Sequence, residues 1–307
     1  MDRWGVFDSD VWATIRASLA KNTTEKYRSI FKRFQDYLDQ IGKTVQNVNL
    51  RQILDFHQDF VGRPASTIRS VHAALFYYFR LFRCEKILDN PLIRMHYQGA
   101  QRLAPPPVKK IVIWDPEIPL RYIAERPRPK SFLAAAKEAL LLLLLSTGIR
   151  VDCASKMSCE LSISGENCVI PYLLARKTGV SEPQLLRTYE ENERLCPVRA
   201  IARFLALSKR VREPDENFLF ISSRGTRAHV DTLRHWVIDL LSESGVGKAT
   251  AGSCRSAVSS AAFLRELPID LILRAAGWKR ESTFRRYYQR QICKSPMGVN
   301  LLPSLNS

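Results

Sequence analysis

Three consecutive prolines, Pro105-Pro106-Pro107, followed closely by Lys109-Lys110, interrupt the chain. Each proline lacks a backbone N–H and disfavours the helical conformation in the residue before it, so neither a continuous helix nor a central strand crosses this point. Gln98 to Ile113 has little helical periodicity, and 98–115 reads as a stiff, basic, extended linker. The 307 residues thus divide into segments 1–97 and 116–307, each long enough to bury a core.

The first segment has helical periodicity throughout. From Thr23, TTEKYRSIFKRFQDYLDQIG places Tyr27, Ile30, Phe31, Phe34, Tyr37, Leu38 and Ile41 on one face, with threonine capping before it and Gly42 after. Asn49 to Val61 repeats the pattern with Leu50, Ile53 and Leu54, and the run from Ser66 does so with Ile68, Val71, Leu75, Tyr78, Phe79 and Phe82. With Asp8 to Leu19 this predicts four helices. Their polar faces carry Lys26, Arg28, Lys32, Arg33, Arg69, Arg80 and Arg83, a one-sign excess that an ordinary solvated surface explains poorly.

The second segment is mixed. Lys130 to Thr147 predicts a buried helix whose apolar run, Ala139 to Leu145, is far short of the ~20 residues that span a bilayer. CELSISGENCVIPYLLARK predicts a hairpin about Gly165-Glu166-Asn167, with β-branched Ile163, Val169 and Ile170. Pro197 opens a helical stretch, Phe218 to Ile221 reads as a short strand, and helices are predicted at 230–244, 255–266, 269–276 and 282–292.

The formal net charge is +17, carried by a chain with 46% apolar residues, so the excess belongs to a folded surface that favours polyanions such as nucleic acid. The seven cysteines are scattered without a CxxC pair and read as reduced thiols, not a zinc or disulfide framework. The MDRWGVFDSD start lacks the pattern of a signal peptide, which points to residence inside the cell and away from membranes.

Three short stretches carry the chemistry: STGIRV at 146–151, AGSCRSAVSSAA at 251–262 and AAGWKRESTFRRYYQR at 275–290. In this order, behind a basic helical domain and with Lys177-Thr178 after a hairpin, the chain resembles the tyrosine recombinase (phage integrase) family. ARKT at 175–178, LCPVRAIARFL at 195–205, CRSAVSSAA and GW followed by TFRRYY are most similar to the recombinases of DIRS-type and Ngaro-type retrotransposons.

The resemblance implies a mainly α fold: an N-terminal four-helix core-binding (SAM-like) domain and a C-terminal α+β catalytic domain with a small antiparallel sheet. It implies cutting and rejoining of double-stranded DNA through a 3′-phosphotyrosyl intermediate, without metal or cofactor. It also implies a tetramer on paired DNA sites, in a nuclear, DNA-associated protein of a mobile element. Arg150 and Arg255 match the two family arginines, whose planar, permanently charged guanidiniums suit the non-bridging oxygens of a phosphate. Lys177 matches the general acid for the leaving oxygen, and Trp278 the position that holds His or Trp. The nucleophile falls on one of two adjacent tyrosines. The nine-residue phage-type spacing from Trp278 gives Tyr287; the TFxxFY pattern of the retrotransposon relatives gives Tyr288, which is favoured.

The second box departs from the family. Where HxxR is usual, this chain reads Gly252-Ser253-Cys254-Arg255, so the imidazole that would shuttle a proton is missing. Ser253 is the nearest hydroxyl in sequence, and His235 is a candidate spatial neighbour. After the first arginine, Cys153 takes the place where an acidic residue is common, with Asp152 before it. The alternative is therefore a catalytically impaired DNA-binding protein of the same fold. A basic RNA-binding or scaffold protein would use the charge but ignore the motifs, and a type IB topoisomerase would share the tyrosine chemistry but fits the small helical N-terminal domain less well. Expected DNA contacts are Lys26, Arg28, Lys32, Arg33, Arg69, Lys109 and Lys110.

Overall fold

The computed structural model describes residues 9–82, 84–103, 114–174, 182–278 and 281–287. The chain divides into two compact units, Met1–Lys110 and Ile111–Ser307.

In the first unit the four expected helices are α1 (Ser9–Arg16), α2 (Lys21–Gln40), α3 (Leu50–Gln58) and α4 (Ala65–Leu81). A 3-10 turn, Glu85–Asp89, leads into a further helix, α5 (Pro91–Leu103). Residues 98–103, expected in the extended linker, therefore continue a helix; Pro91 opens it, where its missing N–H is tolerated, and Gly99 at its centre obscures the periodicity. Helix α2 begins earlier than expected, after Ala20, so Thr23 lies inside its first turn and does not cap it. Ile41, the last residue of the predicted stripe, is the exposed C-cap. Asn49 caps α3 through a reciprocal pair of bonds with Gln52, its side chain accepting from the Gln52 N–H while the Gln52 side chain accepts from its own.

The core of this unit is aromatic. Phe31 stacks on Tyr78 at 3.9 Å between centroids, Phe34 meets Phe56 edge-on at 4.9 Å, and Phe79 closes the centre. Beside it, three helices bring three histidine rings together: His57 of α3 lies 6.1 Å from His72 of α4 and 6.3 Å from His96 of α5, between centroids. Burial, then the charges on His72 and His96, push the His57 pKa down to about 4. Burial also lowers His72, against the opposing influence of Asp89.

The second unit is organised around α7 (Phe132–Thr147), flanked in sequence by α6 (Glu117–Glu125) and the short α8 (Val151–Ala154). Ser131 caps α7 by accepting from the Ala134 N–H. The six successive leucines Leu140 to Leu145 are all buried, so this part of the helix is apolar on every side and lies within the core. Helices α9 (Pro197–Ser208), α10 (Val230–Glu243) and α11 (Ser253–Leu264) pack on it, followed by α12 (Ile269–Ala276) and α13 (Glu281–Tyr287). No helix among the described residues is long and apolar enough to cross a membrane.

The expected hairpin is β1 (Ser162–Ser164) and β2 (Asn167–Ile170), with Ser164 opposite Asn167 and Gly165-Glu166 as the turn. A third strand, β3 (Gln184–Arg187), extends the antiparallel sheet in the order β1-β2-β3. Cys168, Ile170 and Leu186 point inward, whereas Ile163 and Leu185 are exposed. Phe218 to Ile221 is not a strand. It makes isolated bridges, Ser158 to Phe218 and Ile221 to Arg227. The carbonyls a ladder would use at Phe218 and Leu219 instead accept from the Arg212 guanidinium, at 2.6 and 2.9 Å.

One buried carboxylate ties the second unit together. Glu138 of α7, 1% exposed, accepts from Arg126 at 3.1 Å, Arg203 at 3.2 Å and Arg194 at 3.4 Å. Arg194 also donates to the carbonyls of Ile123 and Arg126. Glu138→Ala should lower stability by about 3–5 kcal/mol, because the guanidiniums lose their counter-charge in a low-dielectric setting; urea unfolding of the full chain measures this.

The histidine trio predicts an acid-sensitive N-terminal unit. Between pH 6.5, the ordinary histidine value, and about 4, the unfolded chain binds a proton at His57 that the folded chain does not, so stability falls as the pH falls. The expected loss is about 3 kcal/mol by pH 4. Hydrogen exchange of α3 and α4 amides between pH 7 and pH 4 reads it. His57→Leu should flatten most of that dependence, and an unchanged slope would assign it to other groups.

Candidate active site

The first-box arginine is presented by a helix end. Gly148 ends α7 with φ +63, a conformation that costs glycine little and stops the helix. Ile149 and Val151 are buried on either side, and between them Arg150 is exposed as the extended N-cap residue of α8. Asp152, two residues on, is paired with Lys156 at 3.0 Å, and Cys153 is half-buried.

The second-box arginine reaches the same turn. Arg255, the third residue of α11, is 4% exposed, and its Nη1 donates to the Gly148 carbonyl at 2.7 Å. Its guanidinium carbon lies 4.1 Å from the centroid of the Trp278 ring, a cation–π contact made strong by burial. Trp278 is held in turn by the end of α12. Gly277 takes φ +64, its N–H donates to the Arg274 carbonyl, and the Trp278 N–H reaches back to Leu273 at 2.8 Å. The three motifs, far apart in sequence, thus meet around Gly148, Arg255 and Trp278.

Phe284 anchors the next helix. Fully buried, it packs 5.7 Å from both Phe263 of α11 and Trp278, and so fixes α13 against the second box. Tyr287 ends the described part of α13; its side chain, Tyr288, Lys177, Lys109 and Lys110 lie outside the described residues.

Gly252 precedes α11 with φ −70 and ψ −21, a backbone open to any residue. A Cβ added there would find Thr250 Oγ1 as its nearest neighbour, at 3.9 Å. Glycine is therefore not demanded by packing or by strain. Ser253 does not offer the hydroxyl considered from sequence. Its Oγ donates to the Thr250 carbonyl at 2.6 Å and accepts from the Trp114 indole N–H at 2.8 Å and the Thr250 N–H at 3.2 Å. His235 is exposed on α10, and His229 caps that helix by accepting from the Asp231 N–H. Burial pushes the Cys254 thiol up to about 12, which keeps it protonated and unreactive. Among the described residues, no group of three or more His, Cys, Asp or Glu is placed to hold a metal ion.

The expected DNA-contacting side chains of the first unit, Lys26, Arg28, Lys32, Arg33 and Arg69, are all exposed, and Arg69 donates to the Tyr97 hydroxyl at 2.9 Å. Sequence reasoning missed Trp114 and Phe284. A lone tryptophan gives no sign of a partner 139 positions away, whereas the i, i+3 spacing of Phe284 and Tyr287 was available as a signal.

No protein-family model matches the chain, and no curated protein does. Solved structures do. The XerH site-specific recombinase bound to its palindromic difH substrate is similar with a TM-score of 0.60 and 14% identity over 87% of this chain and 76% of that one. A lambda integrase dimer bound to a COC′ core site gives 0.60 and 17%, over 94% and 79%. The Tn1549 transposon integrase with circular-intermediate DNA gives 0.59 and 16%, over 94% and 97%.

Ser253→Ala should cost about 1–3 kcal/mol, since it strands the buried Trp114 N–H and loosens the start of α11. Urea unfolding checks the value. In a Trp114→Phe background the same substitution should cost less, the shortfall being their interaction. With its mainly helical make-up and small three-stranded antiparallel sheet, the chain has the tyrosine recombinase fold.

Proposed function

We propose that this chain is a site-specific DNA recombinase or integrase that cuts and rejoins duplex DNA through a phosphotyrosyl intermediate. The observation that carries the reading is the meeting of Arg255 with the Gly148 turn that presents Arg150 and with the ring of Trp278. A phosphoryl-transfer centre needs fixed positive charge where the non-bridging oxygens gain negative charge, and a guanidinium locked by a carbonyl and a ring reorganises little during reaction.

In this mechanism Arg150 and Arg255 hold the scissile phosphate. The hydroxyl of Tyr288, or of Tyr287 as the alternative, attacks phosphorus and loses its proton to water, since no imidazole stands at position 252 to take it. The P–O5′ bond breaks, and Lys177 supplies the proton that the departing 5′ oxygen takes up. A 5′-hydroxyl from the partner strand then attacks the phosphotyrosyl bond and restores the tyrosine, so the bond is conserved without a nucleotide cofactor. Strand exchange between two sites calls for a tetramer. The sequence details at 175–178 and 275–290 support a retrotransposon recombinase of the DIRS or Ngaro type, acting on DNA in the nucleus.

Gly252 favours a second reading, a DNA-binding protein of this fold whose chemistry is impaired, because no imidazole stands at that position. One assay separates the two. The protein is incubated with supercoiled and nicked DNA of diverse sequence, quenched in detergent and examined for a covalent adduct. The recombinase reading expects an adduct lost in Tyr288→Phe and reduced at least ~100-fold in Arg150→Ala or Arg255→Ala, with folding intact. Full activity in both arginine variants would refute it. Absence of adduct in the parent chain, with an adduct gained in Gly252→His, would establish the impaired reading.

A further inference from the structure

The N-terminal unit contains a cavity of about 260 Å³ between α2 and α4 that the mechanism above does not use. Helix α2 lines it with Lys26, Ser29, Ile30 and Arg33, at spacings of three, four and seven residues, and α4 lines it with Thr67, Ser70 and Val71. One face of each helix therefore turns toward the same space. Arg63, from the loop before α4, adds a third cation.

The cations are positioned before any ligand arrives. Lys26 Nζ donates to Ser70 Oγ at 2.6 Å, and Ser70 donates to the Ser66 carbonyl at 2.8 Å, which ties the ammonium across the two helices. The guanidinium carbons of Arg33 and Arg63 lie 4.9 and 5.6 Å from the centroid of one ring, that of Phe60, which is itself buried. Both arginines thus lean on a fixed aromatic surface. Among the described residues, none of the three cations is paired with a carboxylate. Three like charges converging without a counter-ion repel one another, so an anion entering the cavity gains from all three. Hydroxyls at Ser29 and Thr67 add donors of the kind a phosphate oxygen accepts.

We propose that this cavity seats one backbone phosphate of duplex DNA, with Lys26, Arg33 and Arg63 as its ligands and Phe60 as the residue that positions the two guanidiniums. The inference rests on the DNA-binding reading above and adds Arg63 and Phe60 to it. A phosphate seat anchors the unit on the duplex independently of base sequence.

The test is the salt dependence of duplex binding by the full chain, measured on two DNA fragments of unrelated sequence. Removing one phosphate contact should lower the slope of log K against log salt by about 0.9. Arg33→Gln/Arg63→Gln should show that drop on both fragments, and Arg33→Lys/Arg63→Lys should keep the slope while weakening binding. Arg51→Gln, an exposed cation paired with Asp55 and absent from the cavity lining, serves as the control for loss of a surface cation outside the cavity and should leave the slope unchanged. A double glutamine variant that behaves like Arg51→Gln, in a parent chain that binds DNA, overturns the seat and leaves the functional reading standing. A loss confined to one fragment overturns the phosphate assignment in favour of base reading. A parent chain with no salt-dependent binding overturns both the seat and the reading on which it rests.

Discussion

The buried carboxylate of Glu138 is the constraint from which the geometry of the second unit follows. Taking an ionised carboxylate out of water costs several kcal/mol, and here three guanidiniums, from Arg126, Arg194 and Arg203, offset it. Those arginines come from the end of α6, the loop before α9 and α9 itself, so the charge cluster fixes how these pieces sit around α7. Apolar burial along the leucine run would tolerate rotation or sliding of α7 far more readily, because it is non-directional. A fixed α7 has a fixed end. That end is Gly148, whose carbonyl holds Arg255 and whose turn presents Arg150.

The two units spend positive charge differently. In the second, Arg126, Arg194 and Arg203 are bound to Glu138, while Arg128 and Arg199 both meet Glu193. These cations act in folding, although they outnumber the carboxylates they meet and the clusters stay net positive. In the first, Lys26, Arg33 and Arg63 face a cavity and are organised by a hydroxyl and a phenyl ring, neither of which cancels charge. The net charge of +17 is shared almost evenly, +8 on residues 1–110 and +9 on residues 111–307, so the units differ in how the cations are held and not in their excess. The first unit thus holds a cluster of cations without carboxylate partners, and the second holds arginines at a site assembled from three distant motifs.

How far the sequence revealed this depended on the range of the interactions. Helices α2, α3 and α4 were legible because an apolar stripe against an aromatic core is written in local periodicity. Helix α5 was not, since Gly99 and a proline-rich neighbour suggested extended chain, and β3 was too short to stand out before its pairing with β2 was known. Phe218 to Ile221 reads as a strand until Arg212 is seen to take its carbonyls. The site divides in the same way. Arg150, Arg255 and Trp278 were named because their motifs are short and ordered. Ser253 was misjudged because Trp114, which occupies it, is distant in sequence.

The geometry around position 252 separates two properties that a missing histidine might seem to remove together. An imidazole there would handle protons, a task that requires a titratable group near neutral pH. Gripping the phosphate requires only fixed positive charge. Arg255 receives its support from the Gly148 carbonyl and the Trp278 ring, and neither contact passes through residue 252. The start of α11 is likewise secured one residue later, by Ser253 with Trp114 and Thr250. Glycine at 252 thus leaves the supports of Arg255 in place and leaves space in which a larger side chain would start without a clash. Under the proposed function, affinity for a phosphate and the rate of its transfer are then set by different residues, so the first can be retained while the second varies widely.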